Sequence, residues 1–137
     1  MRFLDTNVIL RYLTGDDEAK AADCYRLFQR VQQGEEELFT SETVVSETAY
    51  VLSSSRLPYQ LTHEEIRERF LPILTLRGIR LPQKQVCLNA LDIYAASPFF
   101  DFEDALAVAH MEHAGVTEII SYDRDFDRVP GIERVEP

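Results

Sequence analysis

Apolar residues occur along the chain in two patterns, short runs and stripes with helical spacing. Residues 2–4 form a short run that ends on Asp5-Thr6-Asn7, residue types that favour turns and helix caps, and a second apolar stretch follows at once. Residues 17–33 then carry apolar side chains at helical spacing until Gly34 ends the pattern. The chain therefore predicts a strand, a turn and a helix, and then a second helix.

The same alternation of strands and helices continues to residue 135. Ser41 is a favourable cap for a helix whose apolar positions repeat with a period of about 3.6, and Thr62 with Glu65 has the pattern of a capping box. After residue 34 the pattern predicts, in order, a strand at 37–40, the helix that follows Ser41, a helix at 62–76, a strand within 78–82, helices at 83–96 and 102–114, a strand at 117–121, at most one turn at 126–129 and a strand at 132–135.

Strands that alternate with helices of this length are typical of an α/β domain with a mostly parallel sheet, covered by helices on both faces. The length of 137 residues suits one domain spanning 1–137, without an internal repeat or linker. In open sheets of this kind, functional residues lie just beyond the carboxyl ends of the strands. Asp5 and Asp123 both follow predicted strands, so they are the first candidates for a site.

The charge of the chain restricts the functions it can have. Lys and Arg number 14 against 24 Asp and Glu, a formal net charge of −10, so a basic surface cannot supply affinity for a nucleic acid. Any role on DNA or RNA then requires a metal ion. Hydrophobic residues make up 45% of the chain, which excludes a disordered or collagen-like protein.

Signals for a membrane or an oxidising compartment are absent from the sequence. No apolar run approaches the ~18 to 20 residues of a membrane span, and an acid occurs as early as Asp5, too soon for a signal peptide. We therefore expect a cytoplasmic protein with no membrane association. Cys24 and Cys87 lie far apart in helical patterns, which suits reduced thiols rather than a disulfide.

Two carboxylates in the first half of the chain are candidates for chemistry. Asp5, taken alone, is most simply a helix N-cap. Glu47 lies beside the apolar stripe of its helix, where an unpaired buried carboxylate would be costly, so we expect a partner for it. The alternative is a glutamate at the rim of the core whose charged end reaches solvent.

Two acids at the start of one helix compete for a single role. Asp101 can be the N-cap and Asp104 its third-position partner, an arrangement that needs no chemistry. Asp104 also precedes a well-packed apolar run, and a rigid helix is where a metal ligand is best held. We favour Asp104 as ligand and Asp101 as cap, although both fit the position. Farther along, Asp123 is the first acid after a strand, whereas Asp125 and Asp127 suit a solvated loop or a cap.

If these acids meet at one edge of the sheet, their repulsion has to be relieved. Two carboxylates ~5 Å apart repel by about 3 kcal/mol at an effective dielectric of about 20, so a cluster of several binds either protons or a cation. Oxygen ligands without His or Cys favour Mg²⁺ or Mn²⁺ over Zn²⁺. Such a site suits the hydrolysis of phosphodiesters, because the metal activates water and neutralises charge on the phosphate.

Four motifs occur in an order that resembles a known family. They are Phe3-Leu4-Asp5-Thr6-Asn7-Val8-Ile9-Leu10, Glu47 within Ser-Glu-Thr-Ala-Tyr-Val-Leu, Asp101-Phe-Glu-Asp104-Ala-Leu-Ala, and Ser121-Tyr-Asp123-Arg-Asp125-Phe126. Together they resemble a PIN-domain ribonuclease, and they are most similar to the VapC-like toxins of bacterial and archaeal toxin–antitoxin pairs. The resemblance extends from Arg2 to Val135.

The resemblance implies a three-layer α/β/α domain with a mostly parallel five-stranded sheet, and a metal-dependent endoribonuclease that cleaves RNA. It implies that one or two Mg²⁺ or Mn²⁺ ions are held by four catalytic acids, Asp5, Glu47, Asp104 and Asp123, with Asp101 competing for the third place. Supporting roles fall to Asn7 and Ser121, which would orient the acids, and to Asp125 as an auxiliary acid. The resemblance also implies a homodimer inhibited by a cognate antitoxin that inserts a segment into the active-site groove.

Two other functions share some of these features. A PIN-like fold used only to bind a protein partner would explain the aromatic and apolar side chains in residues 50–59 and 98–102. A phosphoacceptor receiver domain would need a lysine in the site, and Lys20 and Lys84 both lie in predicted helices away from strand ends. No substrate contact is assigned, because the residues that could serve are most simply surface arginines: Arg11, Arg56, Arg124 and Arg128. His110 and His113 lie one turn apart but lack a third nitrogen or sulfur ligand, so we interpret them as helix-surface or rim histidines rather than a metal pair.

Overall fold

The computed structural model describes residues 1–137 and contains each predicted helix and strand, with ends that differ by at most two residues. The helices are α1 (Thr6–Thr14), α2 (Glu18–Gln32), α3 (Glu42–Ser53), α4 (His63–Leu74), α5 (Lys84–Ala96) and α6 (Phe102–Ala114), with a 3-10 helix at Arg124–Arg128. The strands are β1 (Arg2–Phe3), β2 (Leu38–Phe39), β3 (Ile79–Arg80), β4 (Glu118–Ile120) and β5 (Glu133–Val135). None of the helices combines the length and apolar character needed to cross a bilayer.

Capping residues mark the ends of several helices. Ser41 accepts a hydrogen bond from the backbone N–H of Val44, and Thr62 and Glu65 form the reciprocal capping box predicted for α4. Gly115 ends α6 in the left-handed region at φ 70°, which glycine adopts without steric penalty. The local sequence thus sets these boundaries before tertiary packing acts.

The hydrophobic core is a cluster of 27 buried residues with side chains from all six α-helices and from β2 and β3. Helix α1 packs on α2. Helix α5 packs between α4 and α6, and α3 contacts α1, α4 and α6. The largest fully buried side chains include Tyr94, Phe70 and Phe100. Burial of an aromatic or aliphatic side chain contributes about 1.5–3 kcal/mol, so the helices supply most of the stability. The arrangement agrees with the predicted α/β/α class.

Every strand pairing is parallel, as predicted, but the five strands form two sheets rather than one. Strands β1, β2 and β3 are hydrogen-bonded in that order, and β4 pairs only with β5. Each strand has only two or three residues, too few for an extended ladder. Side-chain packing attaches the second sheet instead, since Phe126 of the 3-10 helix is buried with its ring 5.3 Å from that of Phe100.

The buried side chains of the three-stranded sheet are concentrated on one face. Leu38 and Ile79 are buried on that face, whereas Phe3 and Phe39 are 55% and 40% exposed on the other, with their rings 5.9 Å apart. Strands of two residues place few side chains on each face, so this face carries little apolar surface beyond the two rings.

The two cysteines are free and buried, which confirms the prediction that they form no disulfide. Burial raises the pKa of the Cys87 thiol to about 12. A thiol that stays protonated at neutral pH is neither a nucleophile nor a metal ligand, so Cys87 serves as a small apolar residue of the core.

A hydrogen-bonded cluster joins the turn between α1 and α2 to the loop before α4. The hydroxyl of Tyr59 donates to Asp16 Oδ2 at 2.6 Å, and Nη1 of Arg11 donates to Asp16 Oδ1 at 2.8 Å. The Tyr59 hydroxyl, followed by the Arg11 guanidinium, holds the pKa of Asp16 at about 2, below its ordinary value of 3.8. Arg11 is therefore engaged in a structural pair.

Replacing Tyr59 by phenylalanine should raise the pKa of Asp16 from about 2 toward 3.8, because the strongest donor to its carboxylate is removed. A depressed folded-state pKa stabilises the fold above about pH 4, and the effect is lost as the pH falls to about 2. The stability difference between wild type and Tyr59→Phe should therefore be largest above about pH 4 and shrink below it. NMR titration of Asp16 and urea unfolding at each pH measure these two effects.

The control for this change is Tyr122→Phe, which removes an exposed hydroxyl that makes no hydrogen bond to a side chain or backbone of the protein. It should alter neither the titration of Asp16 nor the pH dependence of unfolding. An Asp16 pKa that stays at about 2 in Tyr59→Phe would contradict the role given to the tyrosine hydroxyl.

Candidate active site

Asp5 lies between β1 and α1, at the position predicted for a helix cap. Its backbone has the extended conformation of an N-cap residue, but its side chain makes no capping hydrogen bond. The residue is exposed and forms no ion pair with Arg, Lys or His. The interpretation of the Asp5 side chain as a cap is therefore wrong, and its carboxylate is left without a structural partner.

Glu47 of α3 has the partner that the sequence analysis expects. The hydroxyl of Thr6, a residue that is only 4% exposed, donates to Glu47 Oε2 at 2.9 Å. Because Thr6 directly follows Asp5, this bond connects two of the candidate acids through one side chain. Sequence reasoning did not identify Thr6 as a site residue, and its position beside Asp5 was the only signal for it.

At the start of α6, Asp101 has the capping role predicted for it. Asp101 Oδ1 accepts a hydrogen bond from the backbone N–H of Asp104 at 2.8 Å, which makes Asp101 the N-cap. The carboxyl of Asp104 is half-buried, and its pKa is raised to about 6, first by burial and then by the negative charges of Asp101 and Asp123. Three acids therefore share one electrostatic neighbourhood at this end of the helix.

Asp123 is the N-cap of the 3-10 helix that follows β4. Its backbone N–H donates to Ser121 Oγ at 3.0 Å, and its carboxylate accepts from the backbone N–H of Asp125 at 2.9 Å. Ser121 thus supports the backbone of Asp123, and Asp125 contacts it through the main chain alone. Asn7 is exposed and makes no side-chain hydrogen bond, so its predicted orienting role stays a prediction.

Arg134 in β5 anchors the loop that carries Asp123. Its Nη1 donates to the carbonyl oxygen of Ser121 at 2.9 Å, and its Nε pairs with Asp127 Oδ1 at 3.0 Å. Only 12% of the Arg134 side chain is exposed, so these bonds are partly shielded from water. Asp127, predicted to be solvated or a cap, is thus the ion-pair partner of Arg134, a residue that no sequence motif marked.

Two other candidate basic residues, Arg128 and His110, contact side chains of the protein itself. The Arg128 guanidinium lies 4.6 Å from the centre of the Phe99 ring. His110 Nε2 lies 2.7 Å from Glu42 Oε1, so the side-chain partner of this histidine is an acid of α3. None of these residues is a defined substrate contact.

A groove of about 700 Å³ lies between α3 and the start of α6. Four carboxylates line it, and no Lys or Arg does. A polyanion would therefore be repelled from this groove unless a cation were present. The lining residues are Glu42, Thr43, Ser46, Glu47, Tyr50, Ser53, Tyr94, Asp101, Phe102, Glu103 and Leu106.

The structure brings the candidate acids together in two groups rather than in one compact cage. Thr6 connects Asp5 to Glu47, and Asp104 lies with Asp101 near Asp123. No three Asp, Glu, His or Cys side chains are arranged closely enough to hold a metal ion as they stand. The donor chemistry nevertheless fits a hard divalent cation, because every candidate is a carboxylate and the crowding at Asp104 is of the kind that a cation relieves.

Comparison with known proteins identifies the family. The PIN-domain model matches residues 2–132. The chain belongs to the PIN-domain family. This match confirms the resemblance that the four sequence motifs carry.

Named relatives of this PIN domain cover nearly its whole length. It is 29% identical over 137 residues to a VapC ribonuclease of Aquifex aeolicus, covering 100% of this chain and 97% of that protein. It is 30% identical over 138 residues to ribonuclease VapC13 of Mycobacterium tuberculosis, covering 98% of this chain and 99% of that protein. Among solved structures, Mycobacterium tuberculosis VapC20, described as a sarcin-ricin loop cleaving toxin, gives a TM-score of 0.41 at 19% identity over 100% of both chains.

Replacing Asp101 by asparagine should lower the pKa of Asp104 from about 6, because asparagine keeps the capping oxygen but removes a neighbouring negative charge. Burial, the larger cause, remains, so the pKa should stay above 3.8. A raised pKa means that ionisation destabilises the fold, so this cost is absent below about pH 4 and complete above about pH 6. The loss of stability across that range should be smaller in Asp101→Asn.

NMR titration of Asp104 in EDTA-containing buffer, together with thermal unfolding at both ends of the range, measures this prediction. Glu103→Gln is the matched control, since it neutralises an adjacent acid that is not among the principal causes of the shift. An Asp104 pKa that falls no further in Asp101→Asn than in Glu103→Gln would show that the carboxylate of Asp101 does not act on it.

Proposed function

We propose that this PIN domain is a metal-dependent endoribonuclease that hydrolyses RNA phosphodiester bonds and acts as the toxin of a type II toxin–antitoxin pair. The observation that carries the proposal is the match to named VapC ribonucleases across the whole chain, at 29% and 30% identity. PIN-domain ribonucleases are metal-dependent in general. The acidic groove, which lacks any basic lining residue, is consistent with that requirement.

In the proposal, Asp5, Glu47, Asp104 and Asp123 hold one or two Mg²⁺ or Mn²⁺ ions. Support comes from the absence of any Arg, Lys or His ion pair at these four acids and from the all-oxygen donor set. The crowded, half-buried carboxyl of Asp104 gives further support, because its ionised form is costly until a cation is near. Asp101 is assigned to capping rather than to the metal.

A divalent ion bound by these acids would activate water and neutralise the charge that develops on the phosphate. The chain itself supplies the positions. The Thr6 hydroxyl fixes one carboxylate oxygen of Glu47, the Asp101 cap holds the first turn of α6, and Ser121 with Arg134 orders the loop before the 3-10 helix. Prior ordering of this kind lowers the entropy cost of assembling the site.

The remaining assignments follow from the resemblance. We propose that residues 1–137 act as a single domain, that the protein works in the cytoplasm as a homodimer, and that a cognate antitoxin inhibits it by placing a segment in the acidic groove. The single hydrophobic cluster that joins all six α-helices supports the one-domain assignment.

Asp5→Asn and Asp104→Asn should each lower the rate of RNA cleavage by about a hundredfold or more, because each removes a charged metal ligand at little change in volume. The assay uses structured RNA with Mg²⁺ or Mn²⁺, and EDTA should abolish cleavage by the wild type. Glu112→Gln is the matched control, since Glu112 is an exposed acid of α6 that contacts Asn89 and lies outside the groove.

Cleavage that survives EDTA, or that is equal in Asp104→Asn and wild type, would overturn the proposal and indicate a contaminating nuclease. Titration calorimetry with Mn²⁺ adds a second readout that is independent of RNA choice. No binding below millimolar concentrations, together with no cleavage, would favour the alternative of a PIN-fold module that only binds a protein partner.

Thr6→Val should reduce the rate of cleavage by about tenfold, since it replaces the hydroxyl that orients Glu47 by a methyl group of the same size. Thr6→Ser, which keeps the donor, should retain most of the activity. Both variants should unfold within a few degrees of the wild type, as circular dichroism would show. Equal losses in the valine and serine variants would indicate that packing at Thr6 matters and that the hydrogen bond does not.

A further inference from the structure

His63, the first residue of α4, forms a hydrogen bond with the backbone just before α6. Its Nε2 donates to the carbonyl oxygen of Phe100 at 2.7 Å, and because a carbonyl only accepts, the hydrogen must reside on Nε2. The imidazole also lies 3.8 Å from the centre of the Tyr94 ring at an interplanar angle of 17°. Stacking and hydrogen bonding together hold the half-buried His63 in one orientation.

The carbonyl that His63 contacts belongs to the residue immediately before the cap of α6. Phe100 is 2% exposed, so its carbonyl oxygen has little access to water and gains from a protein donor. The next residue, Asp101, accepts from the backbone N–H of Asp104. A shift of the Phe100 carbonyl would therefore move the cap and the first turn on which Asp104 stands.

The same segment also contacts the 3-10 helix that follows Asp123. The rings of Phe100 and Phe126 lie 5.3 Å apart, and the guanidinium of Arg128 lies over the ring of Phe99. Tyr94, on which His63 stacks, makes an edge contact with Phe102 at 5.7 Å. Residues 99–102 thus touch α4, α5 and the 3-10 helix, and His63 supplies the hydrogen bond from α4 that holds their backbone.

We infer that His63 is a positioning residue for the acidic site: through the Phe100 carbonyl it sets the position of the Asp101 cap and of Asp104. This inference rests on the proposed function for its catalytic consequence. Its structural part concerns the first turn of α6 and is independent of that function. His63 itself touches none of the candidate acids in the structure.

Two substitutions separate the two contacts of His63. His63→Phe keeps an aromatic ring to stack on Tyr94 but removes the donor, whereas His63→Gln keeps an N–H donor of similar reach and removes the ring. His113→Phe, the same change at an exposed histidine in the last turn of α6, is the matched control. All four full-length proteins are compared by amide hydrogen exchange, Mn²⁺ titration and RNA cleavage.

In His63→Phe we expect protection of the Asp104 amide to fall about tenfold relative to the amides of α2, Mn²⁺ affinity to fall by a similar factor, and kcat to fall about tenfold with little change in KM. His63→Gln should recover most of each loss, and His113→Phe should match the wild type. This rescue by a donor without a ring is a result that a purely structural role for the aromatic stack would not produce.

The inference would be overturned if, in His63→Phe, both the exchange protection of the Asp104 amide and kcat stayed within about twofold of the wild-type values. It would also be overturned by equal losses in the phenylalanine and glutamine variants with all helices exchanging faster, since that pattern indicates a general loss of stability. If the wild type cleaves no RNA, the proposed function fails, and Asp104 amide exchange alone then decides whether His63 positions the start of α6.

Discussion

The crowding of negative charge around Asp104 is the constraint that shapes the acidic end of this fold. Asp104 is half-buried at the first turn of α6, and Asp101 and Asp123 oppose its ionisation. Such an arrangement lowers stability at neutral pH, and the large core offsets it, because 27 buried residues from six helices form one cluster. Neither Asp101 nor Asp123 forms an ion pair of its own, and the Asp101 carboxylate is held instead by the backbone N–H of Asp104.

Helices and side-chain contacts position the site more than the sheet does. Strands of two or three residues provide direction to the chain but few ladder hydrogen bonds. The loop carrying Asp123 is instead held by Phe126 on one side and by Arg134 on the other. Asp5 differs, since it is placed directly by the end of β1 and the start of α1. The two groups of candidate acids are thus held by different means, and the helical core is common to them.

Features that depend on interactions between neighbouring residues, such as helix ends, were predictable from the sequence. Helix ends at Ser41 and Gly115 depend on nearby backbone groups, and they were predicted within two residues. Contacts between distant segments were out of reach: the Thr6–Glu47 hydrogen bond spans 41 positions, and no periodicity encodes it. The division into two sheets was missed for the same reason. The cap predicted for Asp5 failed because residue preference describes a position in a helix and does not determine where the side chain points.

The anchoring of the Ser121 carbonyl by Arg134 links the Asp123 loop to the smaller sheet. Arg134 lies in β5, which pairs only with β4, so the residue that orders this loop belongs to a strand outside the three-stranded sheet. Local opening of β5 would therefore release the loop that carries Asp123 while the cluster formed by the six helices stays packed.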